Sequence, residues 1–237
     1  MDNLIKIAIK DHTRDFLRSR LAGIQKIKLS DIEINPFLLA AMKNQLNMKK
    51  QKDLARWLVT QRIERGLVTS FGLTLQKIAK EFSDEPTTPG FTMTLRKNSK
   101  KYNISITSGP NPYAKGPMID LRNKLLESKK TDPGSIPIFG MCYGDDDSLS
   151  SIVKNELTDI QYYVGRKFWE FISGNKNCRD EIIKIIYDMA SHFQDLEKRT
   201  IQKITDGKIE QLEESLKDRY GRNPNKFWKS ILKDLYV

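Results

Sequence analysis

An alternating stretch over residues 102–111, Tyr-Asn-Ile-Ser-Ile-Thr-Ser-Gly-Pro-Asn, constrains the fold more than any other part of this sequence. Tyr102, Ile104 and Ile106 alternate with polar residues, which is the period-two pattern of a β-strand that is buried on one face. The Gly-Pro pair that follows cannot continue a ladder, so the strand ends there and a loop begins.

Three neighbouring segments predict how this strand is embedded. Residues 91–96 alternate in the same way, and the polar run 97–101 joins them to the strand, so the two runs predict a β-hairpin. Helical spacing follows over residues 120–128, and an apolar run of strand length follows over 136–143. A strand, a helix and a second strand predict a crossover connection. We therefore predict an α/β (α+β) fold, with a small mixed β-sheet embedded in a predominantly helical protein.

Amphipathic patterns ahead of the hairpin predict helices. The first helix is expected to end at Gly23. A second begins at Asn35-Pro36, where asparagine accepts the free amides and proline is suited to the first turn. The next helix is expected to close at Gly66 with a left-handed cap, and another to begin with a cap at Thr69.

The chain after the sheet is also predicted to be helical. The acidic run 145–147 follows a strand, and of a metal site and a helix cap we favour the cap. The aromatic-rich segment 159–174 predicts a buried helix, and residues 179–237 predict a series of amphipathic helices. We expect a core over residues 1–174 and a C-terminal helical annex over 175–237, together in one compact domain.

The overall charge favours a polyanionic partner. The formal net charge is +11 and the isoelectric point is near 9.5, and basic side chains that neutralise phosphates gain by releasing counterions. A merely solubilising cationic surface is the alternative. Two cysteines without metal-binding spacing indicate neither a disulfide framework nor a zinc site, so we expect a reducing cytoplasm. No apolar run has the length of a membrane span.

A cationic stretch over residues 48–52 interrupts the helical pattern. In one interpretation its lysines contact phosphates and Met48 wedges between base pairs. In the other, it is a solvated turn with the methionine packed beneath it. The candidates for phosphate contacts, which add affinity without specificity, are Lys43, Lys49, Lys50 and Lys52.

Two further places hold candidate site residues. Glu64 lies near a predicted helix end, where the helix dipole opposes an acid. Either an ion pair with Arg62 or Arg65, or a metal ion, would account for it. The loop after the central strand is rich in turn formers, and we expect it to place Asn111 and Lys115 beside a bound molecule.

The sequence resembles type II restriction endonucleases, in particular the TdeIII-like group of the PD-(D/E)xK nuclease superfamily. The resemblance is carried, in order, by Ile-Asn-Pro-Phe-Leu-Leu at 34–39, Thr-Ser-Phe-Gly at 69–72, residues 75–80, Ser-Gly-Pro-Asn at 108–111, Gly-Met-Cys-Tyr-Gly at 140–144 and residues 165–174. It implies a nuclease-type sheet with a hairpin and a crossover helix. It also implies a homodimeric, Mg²⁺-dependent enzyme that cuts both strands of a short palindromic DNA site, in a restriction-modification system whose cognate DNA methyltransferase makes no direct contact with it.

The resemblance also implies where the catalytic residues should lie. In such nucleases one carboxylate on each hairpin strand holds the metal, and a lysine two residues after the second acts on the attacking water. The pattern places the first acid at Thr92 and the acid and lysine at Ser105 and Thr107. All three are neutral hydroxyls, which can contribute a ligand oxygen or orient a water but cannot replace a carboxylate charge.

Three hypotheses account for this departure from the family pattern. In the first, which we rank highest, the ligands have migrated, so that carboxylates come from Glu64, Asp84, Glu85 or Asp120 and the cation from Lys115 or Lys101. In the second, the register along the strand is different. In the third, catalysis is lost and DNA binding is kept. As DNA-binding residues we name Arg62, Asn111 and Lys115, in addition to Lys43 and the residues of the cationic stretch.

Overall fold

A computed structural model describes residues 1–110 and 114–235 of the protein. Within these residues there are nine α-helices, four β-strands and two short 3-10 turns. The helices are α1 Asn3–Gln25, α2 Pro36–Gln45, α3 Gln51–Lys80, α4 Lys115–Thr131, α5 Ser151–Glu156, α6 Arg166–Ser173, α7 Cys178–Ser191, α8 Ile201–Tyr220 and α9 Pro224–Leu235. The strands are β1 Met93–Lys97, β2 Lys100–Thr107, β3 Ser135–Met141 and β4 Gln161–Val164.

The four strands form one mixed sheet in the order β1-β2-β3-β4. β1 and β2 are antiparallel, and β2, β3 and β4 are parallel to one another. The hairpin turn is the pair Asn98-Ser99, with φ angles of 51° and 60°. A two-residue hairpin turn of this hand needs positive φ at both positions, and asparagine tolerates it well. The predicted hairpin, crossover helix and mixed sheet are therefore confirmed.

Contacts group the described residues into two compact units, each of which takes two stretches of the chain. The sheet unit consists of Met1–Phe16 and Ser70–His192, and the helical unit of Leu17–Thr69 and Phe193–Val237. Such a grouping is not a test of independent folding, so the predicted division between residues 1–174 and 175–237 stays a prediction.

The sheet unit has an apolar core on each face of its sheet. On one face, Ile104 and Ile138 pack with residues of α3, α6 and α7, among them Phe168. On the other face, Phe139 packs with residues of α4 and α5, among them Met118. The sheet is therefore covered on both sides, as the mixture of parallel strands and crossover helices requires.

The helical unit has its own core. Leu39, Leu54, Leu216 and Phe227 are fully buried there, on α2, α3, α8 and α9 respectively. None of the helices in the part of the chain that the structure describes is both long enough and apolar enough to cross a membrane.

Several predicted helix boundaries are confirmed. The backbone N–H of Leu38 donates to Asn35 Oδ1 at 3.0 Å, which is the predicted cap of α2. The backbone N–H of Ser148 donates to Asp145 Oδ1 at 2.8 Å, so the acidic run forms a cap, as we favoured, but it caps the short 3-10 turn Asp146–Ser148, and α5 begins only at Ser151. The predicted C-terminal helices are α7, α8 and α9.

Two predictions were wrong because glycines were taken for helix ends. α1 continues past Gly23, and α3 runs without a break through Gly66 and Thr69, where we predicted a boundary. A glycine inside a helix costs only about 1 kcal/mol relative to alanine, which tertiary packing readily offsets. Glu64 consequently lies in the middle of α3, so the helix-end argument for its special role fails.

The prediction of one helix over residues 159–174 was also wrong in part. β4 occupies residues 161–164 and pairs with β3, with Tyr162 opposite Phe139. Only α6 is helical. A four-residue strand is fixed here by its partner, which local periodicity does not reveal.

Candidate active site

Thr92, Ser105 and Thr107 form a row of hydroxyls on one side of the hairpin. The backbone N–H of Thr92 donates to the carbonyl of Ile104 at 2.9 Å, and Thr92 Oγ1 accepts from the backbone N–H of Ile106 at 3.0 Å. Ser105 and Thr107 flank Ile106 and lie on the opposite face of β2 from its side chain. They are only 8% and 7% exposed. The structure therefore brings together the three positions at which the resemblance to PD-(D/E)xK nucleases predicts charged groups.

The row continues along the sheet as neutral polar groups. Thr94 and Asn103 are fully buried, and Thr94 Oγ1 lies 3.2 Å from Asn103 Oδ1. Thr94 Oγ1 also accepts from the backbone N–H of Thr88 at 2.9 Å. The Nδ2 of Asn103 is buried and has no hydrogen-bond partner within the described residues. Away from the turn end, this face of the hairpin thus offers hydroxyls and an amide but no charge.

Some of the carboxylates proposed as replacements are held at the turn end of the hairpin. The backbone N–H of Arg96 donates to Asp84 Oδ1 at 2.8 Å, and the Arg96 guanidinium pairs with Glu85, which raises the pKa of Arg96. Lys101 pairs with Asp132 at 2.8 Å. Four residues of extended strand, about 13 Å, separate Lys101 from position 105. These groups stabilise the turn end and lie away from the hydroxyl row.

Helix α4 carries two other predicted site residues. Lys115 is the first residue of α4, and Asp120 follows on the same helix. Both are exposed, and neither forms an ion pair within residues 1–110 and 114–235. The predicted DNA contact Asn111 lies outside the described residues.

Lys124 of α4 reaches the hairpin and was not predicted from the sequence. A Cβ atom on Gly90 would lie 2.9 Å from Lys124 Cε and 3.5 Å from its Nζ, so this side chain passes directly over Gly90. Gly90 is two residues before Thr92. Lys124 is therefore a candidate cation beside the hydroxyl row, and only the packing of α4 against the sheet reveals it.

The hydroxyl row by itself does not fit a Mg²⁺ ion. Magnesium in proteins is bound through one or two carboxylates with water or phosphate oxygens, and Thr92, Ser105 and Thr107 bring no negative charge. Among the described residues, no three His, Cys, Asp or Glu side chains come together as a metal cluster. Glu64 belongs to the helical unit and is exposed, and the ion pair predicted for it with Arg62 or Arg65 is not formed within the described residues.

The loops that carry the family resemblance meet at the carboxyl ends of β2, β3 and β4. The backbone N–H of Tyr143 donates to the carbonyl of Ser108 at 3.1 Å, and that of Gly165 donates to the carbonyl of Met141 at 2.8 Å. The ring of Tyr143 lies against Gly109, where a Cβ atom would be 2.0 Å from it. Open α/β sheets commonly bind ligands at this end of their parallel strands.

Two acidic groups near this end of the sheet, Asp145 and Asp146, are already engaged. Asp145 accepts hydrogen bonds from the side chain and backbone of Ser148, which lowers the pKa of Asp145. Asp146 pairs with Lys167 at 2.6 Å. Because both carboxylates have partners, they act here as a cap and an ion pair.

The cationic stretch of the helical unit forms the turn between α2 and α3. The backbone N–H groups of Lys49 and Lys50 each donate to Asp53 Oδ2 at 2.8 Å, and both side chains are exposed. Met48 is 4% exposed and belongs to the core, as the packed-turn alternative predicted. Lys43 Nζ lies 4.8 Å from the centre of the Trp228 ring, a cation–π contact.

Arginines are paired differently in the two units. Every arginine of the sheet unit forms an ion pair with a carboxylate; these residues are Arg14, Arg96, Arg122, Arg166 and Arg179. Five arginines of the helical unit have side chains without a hydrogen bond or ion pair to any described residue; these are Arg18, Arg20, Arg56, Arg62 and Arg65. The arginines that are not paired with a carboxylate of the described residues thus lie on α1 and α3.

A comparison with protein families gives a match that covers most of the chain. The family model for type II restriction endonuclease EcoO109I matches residues 3–194. The match includes the hydroxyl row, all four strands, helices α1 to α7 and the five unpaired arginines. No curated protein matches the chain.

Proposed function

Because this match extends over most of the chain, the protein belongs to the type II restriction endonuclease EcoO109I family, and from that premise we propose that it hydrolyses DNA at a specific site. The family membership is the observation that carries the proposal. In the form we propose, the enzyme cuts both strands of a short palindromic duplex. The high net positive charge supports a DNA substrate.

The proposal includes a homodimer and a requirement for Mg²⁺. A two-fold symmetric protein matches the two-fold symmetry of a palindromic site. A divalent cation would stabilise the charge that develops on the scissile phosphate. Since the hydroxyl row lacks acids, we propose Glu64 and Asp120 as sources of the carboxylates.

Side chains of this protein would perform the remaining tasks. We propose that the hydroxyls of Ser105 and Thr107 orient a water or a phosphate oxygen, whereas that of Thr92 already accepts a backbone hydrogen bond. Lys115 and Lys124 are exposed amines on α4 that would bind the phosphate, in the role that the missing lysine has in the family pattern. Contacts with the remaining DNA are proposed for Lys43, Lys49, Lys50, Lys52, Arg62 and Asn111.

Incubation of the purified protein with plasmid and phage DNA tests the proposal. We expect discrete fragments in the presence of Mg²⁺ and none when the metal is chelated, and the fragment ends identify the site and the stagger. DNA that stays intact under a range of salt concentrations, with Mg²⁺ or Mn²⁺, contradicts the nuclease proposal.

A second candidate function is sequence-selective DNA binding without cleavage, either as a regulator or as a non-cutting subunit of a nuclease. It is favoured by the neutral hydroxyls at Thr92, Ser105 and Thr107. Selective binding to one DNA sequence together with uncut plasmid would support it. Metal-dependent cutting that is lost in Glu64→Ala would rule it out.

A further inference from the structure

A cavity in the helical unit is lined by two arginines and by no acidic residue. It has a volume of about 250 Å³ and lies between α1 and α3. Its walls are Arg20, Arg62, Gly23, Gly66 and three isoleucines. Two cations that face one space with apolar walls repel each other. An anion between them would offset this repulsion.

Arg20 is left with an unsatisfied donor. Its Nε is buried and has no hydrogen-bond partner in the described part of the chain. Buried donors are nearly always paired, because desolvating one without a partner is costly. Within the described residues, Arg20 therefore keeps a donor for which no acceptor is supplied.

Gly66 leaves room for the Arg20 guanidinium. A Cβ atom on Gly66 would lie 2.8 Å from Arg20 Nη1, so the guanidinium lies directly against the backbone of α3. Glycine weakens the interior of a helix relative to alanine. Its presence in the middle of α3 is explained by the close approach of Arg20, and this is the residue that the sequence pattern misassigned as a helix end.

Arg62 supplies the second cation. It also lines a neighbouring cavity of about 200 Å³, together with Arg65 and the acidic residues Asp31 and Glu33. No ion pair joins Arg62 to either acid among the described residues, and the cavity shared with Arg20 has none. The positive charge of Arg62 is therefore available to a ligand.

We infer that Arg20 and Arg62 bind a single phosphate group of the DNA backbone in this cavity, an inference that rests on the proposed function for the source of the phosphate. A guanidinium presents a planar fork of donors that matches two oxygens of a phosphate. Arg20 and Arg62 offer two such groups to one anion. Contacts of this kind set the register of a protein on DNA and add affinity for any sequence.

Inorganic phosphate tests the anion site apart from DNA. The melting temperature of the full chain is measured in sodium phosphate and in sodium chloride of equal ionic strength, for the wild type, Arg20→Gln and Arg62→Gln. Arg14→Gln is the matched control, since Arg14 lies on the same helix and is paired with Asp11. We expect phosphate to raise the melting temperature of the wild type and of Arg14→Gln, and this rise to be lost in the other two variants. An equal rise in all four proteins overturns the inference.

Salt dependence identifies the source of the phosphate. The slope of log Kobs against log[salt] for duplex DNA is expected to fall by about 1 in Arg20→Gln and to stay unchanged in Arg14→Gln. An unchanged slope in Arg20→Gln overturns the assignment to the DNA backbone, even if inorganic phosphate binds. If the wild type binds no DNA at all, the proposed function fails, and the phosphate measurement still decides the anion site.

Gly66→Ala tests the inference independently, in case the glutamine variants do not fold. Alanine favours the helix, and this variant keeps both arginines in the sequence. Its methyl group, however, displaces the Arg20 guanidinium. Circular dichroism checks that the fold is kept. We expect this variant to lose the phosphate-dependent rise in melting temperature, and a full wild-type response in a folded Gly66→Ala protein contradicts the inference.

Discussion

Thr92 Oγ1 accepts a hydrogen bond from the backbone N–H of Ile106 at 3.0 Å, which ties the residue before β1 to the carboxyl-terminal end of β2. The bond occupies the hydroxyl that stands where the family pattern expects a carboxylate. It also satisfies a backbone donor that lies between Ser105 and Thr107. Thr92 therefore has a structural role that is independent of catalysis.

Thr92→Val tests this structural role. Valine has nearly the same shape but leaves the N–H of Ile106 without its partner, so we expect the free energy of unfolding to fall by about 1 to 3 kcal/mol. Urea denaturation measures the change. Thr60→Val, at an exposed position of α3, is the control and should change stability by less than about 0.5 kcal/mol. Equal effects of the two substitutions would show that the hydrogen bond contributes nothing.

The hydroxyl row offers a gain-of-function test. Thr92→Asp combined with Ser105→Glu and Thr107→Lys restores the charged set of the family pattern, and we expect Mg²⁺-dependent cleavage to appear or to increase. Because Ser105 and Thr107 are buried, we also expect a lower melting temperature. The control combines Thr92→Asn, Ser105→Gln and Thr107→Met, which have similar sizes and no charge. Cleavage gained by both combinations would exclude a role for the added charges.

Single substitutions test the proposed carboxylates. If Glu64 and Asp120 serve the reaction, Glu64→Ala and Asp120→Ala each lower the rate of plasmid cleavage by about 100-fold or more, with DNA binding retained. Glu210→Ala and Glu127→Ala are matched controls, because both residues are exposed acids on helices, and Glu127 shares α4 with Asp120. Full cleavage by both Asp120→Ala and Glu64→Ala would remove these residues from the site.

The cap at Asp145 predicts a dependence of stability on pH. Hydrogen bonds from Ser148 lower the pKa of Asp145 below its ordinary value of 3.8, so the folded state favours the ionised carboxylate. Its contribution to stability is therefore fully present above the unfolded pKa and is lost as the pH falls through the lower folded pKa. We expect wild type to be more stable than Asp145→Asn near neutral pH, and the difference to shrink below pH 3.8. Urea denaturation over this range measures it, and a constant difference would mean that the charge is irrelevant.

Substitutions of Met48 distinguish packing of its side chain in the core from its insertion into DNA. Since the side chain is 4% exposed, Met48→Ala should destabilise the protein by about 2 to 5 kcal/mol, whereas Met48→Leu should cost less than about 1.5 kcal/mol. We expect Met48→Leu to bind DNA as tightly as wild type. The DNA-wedge hypothesis makes a different prediction: Met48→Ala would weaken DNA binding strongly while leaving stability nearly unchanged.

The parts of the fold that were predicted correctly are those with local causes. The hairpin follows from alternation in two adjacent runs, and the caps at Asn35 and Asp145 follow from side chains that bond to amides three residues away. β4 was missed because its pairing partner, β3, is distant in the sequence. The break predicted at Gly66 failed because that glycine accommodates Arg20, which lies on another helix.

The same distinction applies to the candidate site. Ser105 and Thr107 were placed correctly on one face of β2, since strand period alone decides the side. Lys124 and Arg20 were missed because each became a candidate only through a contact with a residue far along the chain. Lys124 lies against Gly90, and Arg20 lies against Gly66. No spacing within the sequence marks either side chain.

The two-residue turn at Asn98-Ser99 controls the chemistry of a surface several residues away. A hairpin turn sets the pairing of its strands, and a shift of one residue exchanges the two faces of a strand. One residue inserted into this turn and absorbed by a shift of β2 would direct Ile104 and Ile106 to the side where Ser105 and Thr107 now lie. The binding properties of this face therefore depend on the length of the turn as much as on the hydroxyl residues.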